Sequence, residues 1–259
     1  MKKEYNEDYP IVLGLAGKAA TGKTAVAESI VPKASFGNTN NGIVWDHIFF
    51  AMPLYEFYSI RSVIEGQNAQ SRKLFSIHNA LYDLYGNSPL GSVPAYNDFV
   101  QLVHKINDEK LDFDGSKPRS FLQKVGDYCR EYDESCFAKW GIRKASSIHS
   151  EYLYSLDKDE EENPHCVIIS DVRFINEAKT ILNQPNGIIV KFDASDEVRR
   201  QRIFNRDSVF MTDEQMSHRS EKEIDMMSDI IDVVIDSSEI TIEEQVNLTI
   251  KSVKESFGL

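Results

Sequence analysis

The chain has 259 residues, 29 Lys+Arg against 41 Asp+Glu, a formal net charge of −12, and 41% apolar and 27% charged residues. That composition excludes a disordered or fibrous chain, and the length suits one large α/β domain or a compact domain carrying an insertion. The acidic balance argues against gripping duplex nucleic acid, which needs a basic footprint, but leaves room for a small anion held by a local cluster of arginines. The apolar run Ile11–Leu15 is far too short to span a bilayer, and Met1-Lys2-Lys3-Glu4 leads into polar residues instead of a secretion signal. Cys129, Cys136 and Cys166 lack metal-pair spacing and cannot build a disulfide framework, and the six histidines contain no His-Glu-x-x-His. The expectation is a cytoplasmic chain with reduced thiols and no membrane association, with homodimerisation left open.

In chain order, Pro10–Gly17 reads as a short buried strand running directly into Gly17-Lys-Ala-Ala-Thr-Gly-Lys-Thr24. This is G-x-x-x-x-G-K-[ST], the phosphate-binding loop, and helical residues Ala25–Val31 follow it until Pro32. Glycines in such a loop let backbone N–H groups turn inward around phosphate oxygens, and the helix N-terminus adds partial positive charge. Gly17, Ala19, Ala20, Thr21, Gly22, Lys23, Thr24 and Ala25 are thereby the expected ATP-binding residues. Lys23 is placed to reach the β- and γ-phosphates, and the Thr24 hydroxyl to ligate Mg²⁺.

Ile43–Trp45 reads as a second strand ending at Asp46, with an amphipathic helix over about 48–64. Residues 65–117 carry two helical stretches, Ala69–Tyr85 and Tyr96–Asn107, and no phosphate-binding pattern, which marks an inserted helical lobe within a single 1–259 domain. Arg119–Asp133 and Ser135–Leu156 read as helices, and 157–164 as a solvated acidic loop. Cys166–Asp171 is a uniformly apolar strand ending in a carboxylate, as a helix-covered parallel sheet requires. A helix over 175–182, a turn at Asn186-Gly187 and a strand Ile188–Phe192 continue the βαβ rhythm. An arginine-rich helix capped by Ser195, a strand Ile230–Ile235, and a helix opened by the Thr241/Glu244 capping pair complete a parallel α/β sheet with helices on both faces.

Asp171 sits where such folds place the carboxylate beside loop-bound Mg²⁺, and Arg173 adds a cation two residues on, at the ligand-binding edge of the sheet. Arg199, Arg202 and Arg206 share one helix face, so an anionic partner would relieve their mutual repulsion. The polar stretch Ser208–Glu223, with Met211, Met216 and His218, reads as a flap over the site, within a lid placed at 207–223. Arg119, Gln123 and Arg130 lie beside a buried stripe of Phe121, Leu122 and Val125 and are candidates to face a nucleotide.

Together these pieces resemble the bacteriophage-type deoxynucleoside monophosphate kinases, within the P-loop kinase superfamily. The resemblance is carried in order by Phe50-Ala-Met-Pro-Leu-Tyr-Glu56, Arg119-Ser-Phe-Leu-Gln-Lys-Val-Gly-Asp127, Asp171-Val-Arg-Phe-Ile-Asn-Glu177 and His218-Arg-Ser-Glu221. Residues 65–117 match poorly, and Met52 and Tyr55 stand where the family pattern has Asp and Lys. The resemblance implies transfer of the ATP γ-phosphoryl to a small nucleotide acceptor with Mg²⁺, Arg119, Asp127 and Arg173 on the acceptor, and Lys23, Arg202 and Arg206 as catalytic cations. Such an acceptor needs no general base, because a phosphate oxygen is already ionised at neutral pH. A hydroxyl acceptor, as in dephospho-coenzyme A kinases, needs a carboxylate, for which Asp46 is the candidate. A nucleotide-binding regulator is the non-enzymatic alternative.

Overall fold

Two apolar stretches from the middle of the chain flank the N-terminal one in a single sheet. The computed structural model describes residues 3–32, 38–64, 70–86, 94–108, 118–156, 162–208 and 219–259. The strands are β1 (Ile11–Ala16), β2 (Asn38–Asn40), β3 (Ile43–Ile48), β4 (His165–Val172), β5 (Gly187–Asp193) and β6 (Val233–Asp236), hydrogen-bonded in the order β2-β3-β4-β1-β5-β6. The helices are α1 (Lys23–Ile30), α2 (Met52–Ile64), α3 (Gln70–Tyr85), α4 (Tyr96–Asp108), α5 (Arg119–Tyr132), α6 (Cys136–Ser155), α7 (Ile175–Leu182), α8 (Asp196–Asp207), α9 (Arg219–Lys222) and α10 (Ile242–Phe257), with a 3₁₀ helix over Glu223–Ile230.

Every strand pair is parallel except β2–β3, so the sheet departs from the all-parallel expectation at one edge. The cause is the two-residue loop Asn41-Gly42, whose φ angles of 54° and 74° are those of a type I′ hairpin turn. A second correction concerns β3, which continues to Ile48 instead of stopping before Asp46. Its polar residues are tolerated inside the sheet because each has a partner: Asp46 bonds to His165 and His47 to Ser170.

One face of the sheet packs Ile11, Leu13, Leu15, Ile168, Ile188 and Val190 against α1 and α10, through Val26, Ile30, Ile250, Val253 and Phe257. Each such side chain, fully buried, contributes about 1.5–3 kcal/mol, and helices on both faces explain why β1 and β4 read as continuous apolar runs. The chain leaves β1 toward β3 on one side, returns to β4, and then passes β1 to reach β5 on the other. Ligands of open α/β sheets bind outside the carboxyl ends of the strands at such a reversal, here the end of β1.

The chain divides into two compact units, one of residues 1–50, 141–206 and 210–259 and one of 51–140 with 207–209. The first contains the whole sheet. The second is helical, with a core that includes Leu54, Phe57, Leu81, Phe99, Phe121 and Phe137. The Phe57 and Phe99 rings lie 4.7 Å apart, and the Trp140 indole donates to Asp83 at 2.6 Å. All three cysteines are buried and unpaired with one another, and burial pushes the Cys129 thiol up to about 12. Among the described residues, no helix is long and apolar enough to cross a membrane.

Candidate phosphate-binding site

Strand β1 delivers the chain at Ala16 into a loop that bends back on itself. Gly17, Ala20 and Gly22 have φ angles of 143°, 63° and 100°, the alternation that turns successive backbone N–H groups toward one concavity. At Gly17 the requirement for glycine is also one of space. A Cβ there would stand 2.4 Å from the Phe192 carbonyl oxygen and 2.8 Å from Thr21 Oγ1, because the loop crosses directly over the end of β5. Helix α1 begins at Lys23 and aims its free N–H groups the same way.

Lys23 is 5% exposed, and its ammonium donates to the carbonyls of Gly17 at 2.6 Å and Lys18 at 2.7 Å and to Thr21 Oγ1 at 3.3 Å. Burial first, and then the neighbouring Arg173, hold its pKa well below that of an ordinary lysine, while Glu221 and Asp171 pull the other way. Positive groups thus crowd the loop around a buried lysine, an arrangement suited to receiving a phosphate.

Three arginines gather at the loop from two elements, the turn after β4 and helix α8. Arg173, in the turn after β4, places Nη1 2.5 Å from Glu221 Oε1. Its turn is held by the Glu177 carboxylate, which accepts the N–H groups of Arg173 and Phe174 at 2.8 and 3.0 Å. Arg199 of α8 is 2% exposed and donates to Ala19 O at 2.9 Å, Asp196 at 2.7 Å and Glu221 Oε2 at 2.8 Å. Arg202 braces the outer side of the loop, donating to Ala20 O at 3.3 Å and Ser237 O at 2.5 Å, while the Ser237 hydroxyl lies 2.9 Å from Thr21 O. Lys18 pairs with Asp225 of the 3₁₀ helix at 2.8 Å.

The residues expected at the site therefore separate into three groups. Lys23, Arg173 and Arg202 come together with the loop, and Thr24 and Ala25 are exposed on the first turn of α1. Asp171, at the carboxyl end of β4, accepts the Phe50 N–H at 2.6 Å and lies near enough to act on the charge of Lys23. Arg206, on the last turn of α8, is exposed. Gln123, Asp127 and Arg130 lie along α5 in the helical unit, where Arg130 covers the Phe137 ring at 4.7 Å and pairs with Asp127 at 3.6 Å. The side chain of Arg119 lies outside the described residues, as do Met211, Met216 and His218 of the expected lid.

Asp46 is not brought to the loop. It pairs in register with Val167, as does Val12 of β1, four residues before Ala16 at the end of that strand, or roughly 13 Å short of the loop's start. Its carboxylate is instead 2.9 Å from His165 Nε2, and His165 Nδ1 is 3.0 Å from His149 Nδ1. This chain of three titratable groups is buried, the two imidazoles stacked and the Tyr152 ring tilted against them. Burial, and then His165, lower the pKa of His149 below its ordinary 6.5, so the folded chain takes up a proton there less readily than the unfolded one. Stability from this group is complete above the ordinary value and falls as pH drops through it. Thermal melts from about pH 7.5 down to about pH 5.5 should show Tm falling more steeply in the wild type than in His149→Asn, which keeps a partner for His165 but does not titrate. Equal slopes would place the acid-sensitive proton elsewhere.

Mg²⁺ takes hard oxygen ligands, keeps several waters, and is held by one or two protein groups together with substrate phosphates. The Thr24 hydroxyl and the Asp171 carboxylate are such donors, so the residues fit the ion. Among the described residues, no cluster of three His, Cys, Asp or Glu offers a self-sufficient metal cage.

Central strand, glycine-bearing loop and following helix define an α/β P-loop fold. The chain matches no family profile. A protein of Acanthamoeba polyphaga mimivirus, provisionally named a deoxynucleotide monophosphate kinase, is 27% identical over 199 residues, covering 74% of this chain and 81% of the relative. Among solved structures, TT1252 from Thermus thermophilus aligns over 95% of this chain and 96% of its own with 14% identity and a TM-score of 0.42. A gluconokinase from Sinorhizobium meliloti 1021 aligns over 95% and 92% with 13% identity and a TM-score of 0.35.

Glu221 is the site residue that sequence reasoning passed over. It stood inside a quoted motif, but no spacing rule connects it to residues 19, 173 and 199.

Proposed function

We propose that this chain is a phosphotransferase that moves the γ-phosphoryl of ATP to a (deoxy)nucleoside monophosphate, yielding the diphosphate. The observation that carries the reading is the convergence of Lys23, Arg173 and Arg199 on one glycine-bearing loop at the end of β1. The mimivirus relative's name points the same way.

In this reading the loop N–H groups and the start of α1 cradle the phosphates of ATP, Lys23 exchanges its carbonyl partners for phosphate oxygens, and Arg173 and Arg199 neutralise charge around the transferred group. Thr24 and Asp171 would hold Mg²⁺, which when bound would supply further neutralisation of phosphate charge. Arg202, braced against the outer side of the loop, keeps its proposed role as a catalytic cation. On the helical unit, the polar positions Gln123, Asp127 and Arg130 of α5, with Arg119 at its start, are the proposed acceptor-recognising surface.

A hydroxyl acceptor finds less support, because Asp46 is buried against His165 and remote from the loop. Release of ADP from Mg-ATP, followed over a panel of nucleoside and deoxynucleoside monophosphates and dephospho-coenzyme A, tests the assignment. Stimulation by a monophosphate is expected, and stimulation by dephospho-coenzyme A alone would overturn it. With the best monophosphate, Asp46→Asn should retain kcat to within about tenfold, whereas loss of a general base costs about 10²–10⁴-fold.

A further inference from the structure

Glu221 is 4% exposed and is a meeting point for three parts of the site. Its Oε1 accepts from Arg173 Nη1 at 2.5 Å, and its Oε2 accepts from Arg199 Nη2 at 2.8 Å and from the Ala19 N–H at 3.1 Å. Arg199 also donates from Nε to the Ala19 carbonyl at 2.9 Å. Both polar atoms of Ala19 are thus engaged in one closed ring with Glu221 and Arg199, one residue before Ala20 takes its φ of 63°.

The electrostatics give this ring a purpose. Lys23, Arg173 and Arg199 are three cations gathered around one loop, and unopposed they would repel each other. A buried carboxylate shared by the two arginines removes that repulsion without neutralising Lys23, whose ammonium bonds to loop oxygens instead. We propose that Glu221 is a positioning residue of this site, holding Arg173, Arg199 and the Ala19 peptide in the arrangement that receives the phosphates of ATP. The proposal rests on the phosphotransferase reading for its ligand and goes beyond it in assigning the ordering of the cations to one side chain from α9.

The competing account makes Glu221 a placeholder that occupies the loop and competes with phosphate. The two accounts predict opposite signs. Removing a negative charge beside an anion site tightens binding if the carboxylate only competes. It weakens binding if the carboxylate orders the arginines, because hydrogen bonds to misplaced charged groups are lost.

The test is a thermodynamic cycle on the affinity for Mg-ATP, measured by titration calorimetry on the full chain without acceptor, for wild type, Glu221→Gln, Arg173→Gln and the double variant. Glu221→Gln is expected to weaken Mg-ATP binding about tenfold, the scale of a lost hydrogen bond to a charged group, and the double variant to be no weaker than the worse single one. Tighter binding in Glu221→Gln, unchanged binding, or fully additive losses would each overturn the proposal. Should Glu221→Gln fail to fold by circular dichroism, Glu221→Asp takes its place. It keeps the charge but is one methylene too short to reach both arginines, and the same loss and coupling are expected, with wild-type affinity overturning the proposal. Because no acceptor is present, a wild type that binds Mg-ATP yet phosphorylates no monophosphate would sink the acceptor assignment and leave the cycle readable. A wild type that binds no Mg-ATP would sink the phosphate-site reading itself.

Discussion

Lys23→Ala is expected to lower turnover by about two to three orders of magnitude, the effect of removing one preorganised donor from a developing negative charge. The ammonium sits within the loop and already hydrogen-bonds the carbonyls of Gly17 and Lys18, so a small swing redirects it to a phosphate oxygen. The fold should survive. Burial and Arg173 both work against the charge of Lys23, so its removal relieves that cost while leaving two loop carbonyls short of a donor. These effects oppose, so Tm should stay within about 4 °C of wild type, the shift produced by roughly 1–2 kcal/mol in a chain of this size. The measurements are kcat from coupled ADP release and Tm by circular dichroism. Near-normal turnover in a folded variant would remove the phosphate loop from the reaction.

Gly17→Ala is expected to damage stability and nucleotide binding together. Its φ of 143° lies where L side chains are strained by about 1–3 kcal/mol. The added Cβ would also stand 2.4 Å from the Phe192 carbonyl oxygen. Phe192 cannot step aside cheaply, because it lies in β5 and pairs in register with Ile235 of β6. Overpacking of this kind adds about 1–3 kcal/mol, so a Tm drop of roughly 10 °C is expected, with Mg-ATP affinity lost beyond detection in whatever remains folded. Gly42 provides the control, since its φ of 74° is also left-handed but nothing lies within 4 Å of the added Cβ. Gly42→Ala should show the backbone strain alone and bind Mg-ATP normally.

The phosphate loop could be read directly from the chain because all its parts are contiguous and its chemistry is carried mostly by backbone. The same holds for β4, β5 and the capping pair at Thr241 and Glu244, whose structure keeps both reciprocal bonds. Residues whose meaning lies in a distant partner were harder to place. Helical spacing puts Arg199, Arg202 and Arg206 on one face, but which end of α8 meets the loop depends on where β5 and the loop lie. The structure seats Arg199 and Arg202 there. Asp46 looked like the end of a strand because a carboxylate ordinarily interrupts one, and only its histidine partner, far downstream, lets β3 continue through it. Strand β2 was overlooked although Asn41-Gly42 is a hairpin signal, because the preceding Asn38-Thr39-Asn40 lacks the apolar alternation that marks a strand.

The central position of β1 has a consequence for how the chain acquires its shape. Ile11 pairs with Cys166 and Val12 with Gly187, so both neighbours of the first strand are made long after it. At synthesis rates of about 5–20 residues per second, roughly ten to thirty seconds separate translation of Gly17 from that of β5. The loop's outer brace, Ser237, follows later still. Pairings this distant in sequence carry a large loop-closure entropy and dominate folding times. The phosphate loop thus leaves the ribosome well before the strands that complete its surroundings, and its assembly waits for them. Protection of its amides from hydrogen exchange should appear only with that of β5, and nascent chains halted before β5 should have no grip on ATP.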